Sequence, residues 1–110
     1  MQRIMTFSIE DIAIDRKAVA KKINKACDHH PYHYKVNGLC QVEDKVYFIL
    51  LPVEDESLKK EYVLAPIDDV SPDGFTAELE TRWESGFNTV GIISFGDNFF
   101  MNLYEKEPEA

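Results

Sequence analysis

Apolar and polar residues alternate most clearly in two stretches, residues 36–54 (VNGLCQVEDKVYFILLPVE) and 89–107 (TVGIISFGDNFFMNLYEKE). Each reads as two strands meeting at a polar tip, EDK or GDN, of hairpin-turn composition. Laid over each other at an offset of 53, without a gap, they set Gly38 on Gly91, Asp44 on Asp97, Leu50 on Leu103 and Glu54 on Glu107. Val46, Tyr47 and Phe48 then fall on Phe99, Phe100 and Met101. Upstream the period changes. RKAVAKKINKAC and PDGFTAELETRW match at an offset of 56, so that Val19, Ile23 and Cys27 fall on Phe75, Leu79 and Trp83. That i, i+4, i+8 stripe predicts one buried face on each of two helices. Asp15 and Ser71 stand at the N-cap positions, and Pro72 follows at the favoured first helical position. Ahead of the helices, IMTFSIEDI and YVLAPIDDV match at an offset of 58 and read as strands ending in acidic turns.

The pattern predicts a βαββ unit written twice, repeat one over about 3–54 and repeat two over about 61–107, joined by a charged linker at 55–60. Hairpin, helix stripe and cap agree with one another while the length differences fall in loops, which is the consistency expected of an internal repeat. The expected fold is α+β. About six strands would form a largely antiparallel sheet with two helices on one face, in a single domain spanning 1–110. A chain of 110 residues suffices for a modest core without covalent staples.

Parity along the last strand of each unit divides its residues between two faces. Val46, Phe48, Leu50, Phe99, Met101 and Leu103 are purely apolar and are assigned to the helix side. Tyr47, Ile49, Leu51, Phe100, Asn102 and Tyr104 form an amphipathic, aromatic set that two helices on one face would leave uncovered. Such a patch marks an interface or binding surface, and tyrosine is enriched there. These six residues are the candidate site. Homodimerisation through the face is the leading reading, a groove for a small molecule or peptide the next, and closure into a barrel the structural alternative.

The net charge of −8 lacks the basic footprint that phosphate backbones require, so no nucleic-acid partner is expected. Residues 1–55 carry 8 Lys and Arg against 8 Asp and Glu; residues 56–110 carry 4 against 12. The first helix is basic (Arg16, Lys17, Lys21, Lys22, Lys25) and the second acidic (Asp73, Glu78, Glu80, Glu84), so the two would gain modestly by packing side by side or across copies. No apolar run reaches the roughly 20 residues of a membrane helix, and no secretory leader is evident at the N-terminus. With two cysteines and no disulfide framework, a cytoplasmic setting is the expectation. Phosphate-loop, nucleophile-elbow and EF-hand patterns are missing, so no cofactor is implied.

All three histidines fall in CDHHPYHY, residues 27–34. The corresponding stretch of the second unit, WESGFNTV, is three residues shorter and supplies a helix-closing Gly86 and the aromatic Phe87. Pro31 and Tyr34 do the same two jobs in the first unit, which makes His29, His30 and His33 an addition at a helix end. As metal ligands, His29, His30 and His33 would need further donors, and the helix stripe turns Cys27 inward. The run Lys25–Pro31, ending His29-His30-Pro31, resembles the catalytic segment of the pterin carbinolamine dehydratases, which implies paired histidines acting on a pterin hydroxyl. Asn37 and Gly38 stand where that family has an aromatic, and no histidine follows His33. The paired modules and GDNFFMNLYEKE are also similar to vicinal-oxygen-chelate enzymes, although Asn102 occupies the place of a ligating Glu and the first strands carry no ligand. The expectation is therefore a non-enzymatic binding module, with a metal-binding or dehydratase-like enzyme centred on His29-His30-Pro31 as the alternative.

Overall fold

The computed structural model describes residues 2–28, 33–54 and 60–107. Strand β1 (Arg3–Ser8) stops at Ser8, whose hydroxyl accepts from the Asp11 N–H at 3.0 Å and opens helix α1 (Ile9–Ile14). The predicted acidic turn is thus corrected to a helical first turn, where Glu10 and Asp11 complement the macrodipole. Asp15 closes α1 and caps α2 (Arg16–Cys27) by accepting from the Ala18 N–H at 3.1 Å. There follow β2 (His33–Val42), β3 (Lys45–Val53), β4 (Glu61–Ile67), α3 (Pro72–Glu84), β5 (Asn88–Ser94) and β6 (Phe100–Lys106). Helix α3 takes its cap from Ser71 and begins at Pro72, as the sequence indicates. It ends at Gly86, whose φ of 88° is strained for any residue with a Cβ.

The six strands form two antiparallel sheets, not one. Sheet A has the order β1-β3-β2 and sheet B the order β4-β6-β5. Each of β2 and β5 is broken by a register shift, at Asn37 and at Val90, and bulges of this kind twist an edge away from further pairing. These two edges meet through side chains instead. A Cβ on Gly91 would lie 2.9 Å from Leu39, so a glycine is needed for the approach. Nearby, the Gln41 amide accepts from the Ser94 N–H at 3.1 Å and donates to the Ser94 carbonyl, as a neighbouring strand would.

The expectation of two helices on one face is also corrected. Helix α2 lies along the free edge of β4, where Asn24 bonds both main-chain groups of Tyr62 and Arg16 donates to the Leu64 carbonyl at 3.3 Å. Its Val19, Ile23 and Cys27 enter one core with Phe48 and Leu50 of sheet A and Leu64, Met101 and Leu103 of sheet B. Helix α3 instead covers the other side of sheet B, with Phe75 edge-on to Phe100 at 6.1 Å. Since α2 packs on β4 and β2 while α3 packs on β5, their opposite charges are not set side by side.

The gap-free offset of 53 does not survive either. Val42 pairs with Lys45 around a two-residue tip, whereas Phe95 and Phe99 bond across three residues, Gly96-Asp97-Asn98. Positive φ at Asp97 and Asn98 accommodates the longer tip. One extra residue reverses the parity of β6 relative to β3. Phe99, assigned to the helix side, sits at this tip and is 44% exposed.

Candidate functional site

That reversal divides the six predicted site residues into two groups. Tyr47, Ile49 and Leu51 lie on the outer face of sheet A, paired across strands with Thr6, Ile4 and Lys35. Each is only half-buried, and among the described residues no helix makes a substantial contact with β3. Cys40 and Val42 extend the face along β2, and both are exposed. Ile4, not singled out from the sequence, is 64% exposed at its margin. The patch sets Ile4, Val42, Ile49 and Leu51 around Tyr47, is interrupted by Thr6, and is edged by Lys35 and Lys45.

Phe100, Asn102 and Tyr104 go elsewhere. They point from β6 towards α3, and Asn102 and Tyr104 are fully buried. Phe87 meets the Tyr104 ring edge-on at 6.2 Å, and the Arg82 guanidinium stands 5.0 Å from the centre of that ring. The Tyr104 hydroxyl donates to Glu78 at 3.4 Å, and Arg82 pairs with the same carboxylate at 3.3 Å. Burial, followed by the nearby Glu78 carboxylate, pushes the Tyr104 phenol up from its ordinary pKa. Asn102 is fully buried beside it, its carboxamide interacting with the Tyr104 phenol.

Packing of α3 exposes a feature that the sequence hid. The predicted stripe Phe75, Leu79 and Trp83 is corrected: the same spacing buries Val19, Ile23 and Cys27 of α2, which packs against strands of both sheets, whereas α3 lies on sheet B alone and turns a narrower side inward. The inward residues are Phe75, Glu78 and Arg82, and Trp83 is 68% exposed. Beside it, Thr76, Leu79, Phe87 and Thr89 line a cleft of about 410 Å³ between α3 and β5, with Glu80 and Glu84 on its rim. On the other side of the indole, Lys60, Lys106, Glu105 and Glu107 border a second hollow of about 350 Å³. Identical spacing keeps Cys27 in the core, so nothing in the sequence marks Trp83 as exposed or the cleft beside it.

Of the histidine segment, His29, His30 and Pro31 lie outside the described residues. His33 begins β2 with Nδ1 3.5 Å from the Asp28 carboxylate, and Cys27 is buried in the core. Among the described residues no three His, Cys, Asp or Glu side chains are grouped to hold a metal ion. No helix is long and apolar enough to cross a membrane among them. Comparison of the chain with protein-family models, curated proteins and solved structures found no match.

Proposed function

We propose that the protein is a non-enzymatic interaction module, made from a duplicated βαββ unit, that docks a protein partner on the outer face of sheet A. The observation carrying this reading is that face itself: Ile4, Val42, Tyr47, Ile49 and Leu51 form an apolar surface, and no described helix makes a substantial contact with β3. A contiguous apolar patch left open is characteristic of association surfaces. Tyr47 at its centre combines contact area with a polar tip and few rotamers to fix. The duplication is supported by the matching strand orders, by bulges 53 residues apart and by N-caps 56 apart.

The test is site-specific crosslinking in the native host cells, with a photoreactive benzoylphenylalanine in place of Tyr47 and, as a control, of Lys21. A discrete adduct at position 47, absent at 21 and lost when Ile49→Lys is added, is the expected result. Failure to form any discrete adduct at 47 overturns the reading.

A further inference from the structure

Strand registers allow the two units to be matched position by position. Aligning the bulges keeps β2 on β5 at an offset of 53, and the longer second tip moves β3 onto β6 at 54. The pairs Ile4–Ile49 and Leu64–Leu103 then set β1 on β4 at 60. In that frame Ile4, Tyr47, Ile49 and Cys40 of the open face correspond to Leu64, Met101, Leu103 and Ile93. Those four counterparts are at most 3% exposed, because sheet B presses this same face against the first unit. Both units have the face, and only the second has it covered.

The complementary surface shows the opposite pattern. On α2, Val19, Ile23 and Cys27 are at most 4% exposed, with β4 seated alongside and Asn24 bonded to its edge. Their counterparts on α3 are Phe75, Leu79 and Trp83, and Glu80 takes the place of Asn24. Where the first unit receives sheet B between α2 and β2, the second has the cleft between α3 and β5, with Trp83 standing open at its wall. The second seat is only partly open: Asn102 and Tyr104, which correspond to Phe48 and Leu50, are fully buried under α3, and the cleft leaves Trp83 exposed beside Leu79.

We propose that copies of this chain associate head to tail, the open face of sheet A in one copy entering the α3–β5 cleft of the next. Charge favours the same match, since Lys35 and Lys45 flank the face while Glu80 and Glu84 rim the cleft. Such an interface is heterologous: every added copy brings a new free face and a new free cleft, so growth continues past the dimer. The inference rests on the reading of the sheet A face as a docking surface and names its occupant as a second copy.

Sedimentation velocity on the full chain, the variants Ile49→Lys and Trp83→Glu, and their equimolar mixture tests it. The wild type is expected to give a concentration-dependent series extending beyond the dimer. Each variant alone should be a folded monomer by circular dichroism. The mixture should give a one-to-one heterodimer and nothing larger, because one variant retains a cleft and the other a face. If Ile49→Lys unfolds, Ile4→Glu, at a position already 64% exposed, replaces it. A wild type that stays monomeric overturns the proposal, as does a mixture in which no heterodimer forms. Association that Ile49→Lys abolishes and Trp83→Glu spares also overturns it, while leaving the sheet face standing as a face-to-face interface. A monomeric wild type that still crosslinks a foreign protein through position 47 would likewise separate the two readings.

Discussion

Asn24 is where the docking of sheet B on α2 can be measured most directly. Its Oδ1 accepts from the Tyr62 N–H at 2.8 Å and its Nδ2 donates to the Tyr62 carbonyl at 3.0 Å, so the side chain satisfies an edge strand that has no neighbour there. Asn24→Ala removes both bonds. Neutral hydrogen bonds contribute about 0.5–1.5 kcal/mol each, and a donor and acceptor left partly buried add to the loss. Alanine returns roughly 0.5 kcal/mol through its higher helix propensity. The net expectation is a loss of about 2 kcal/mol. With a urea m-value of about 1–3 kcal/mol/M for a small protein, the midpoint should fall by about 1 M. Urea titration followed by circular dichroism reads this, with m unchanged if the native and denatured states keep their compactness. A loss below about 0.5 kcal/mol, the range of neutral surface changes, would refute the claim that this pair holds β4 to α2.

Other expectations follow from the buried polar groups and the cysteines. Asn102→Leu should destabilise by about 1–3 kcal/mol, because it takes the amide from the buried Tyr104 phenol and crowds the site; an unchanged or higher urea midpoint would show that the amide contributes nothing. Burial, aided by the Glu105 carboxylate, pushes the Tyr62 phenol far above its usual 10.0. The folded state therefore keeps that proton, and the stability linked to it is fully present below pH 10.0 and lost as the pH rises beyond. Urea midpoints measured across this range should fall with pH in the wild type and fall less in Tyr62→Phe, and equal slopes would count against the assignment. Tyr62→Phe should also cost about 1–3 kcal/mol at neutral pH, because the buried Val36 N–H donates to the phenol oxygen at 2.6 Å. Iodoacetamide should modify the exposed Cys40 in dilute native protein and spare Cys27 until unfolding; mass spectrometry of the labelled peptides distinguishes the two.

Local chemistry in the chain was enough to determine the elements other than α1, which was expected as an acidic turn. Asp15, Ser71 and Pro72 mark helix starts that depend on the residues immediately around them, and alternation through Val46, Phe48 and Leu50 states which side of β3 is buried whatever that side packs against. The choice of Tyr47, Ile49 and Leu51 as one surface was legible for the same reason. What the sequence could not determine was how the elements meet. A single extra residue at the second tip reverses β6, taking Asn102 and Tyr104 out of the surface that holds Tyr47, and sequence similarity across a tip carries no information about register. Whether six strands make one sheet or two depends on the approach of Leu39 to Gly91 and on Gln41 bonding to Ser94, contacts between residues more than 50 positions apart. The open face of sheet A and the cleft beside Trp83 follow from the same long-range packing: a periodic pattern shows that a surface is apolar, and only the tertiary structure decides whether it is covered.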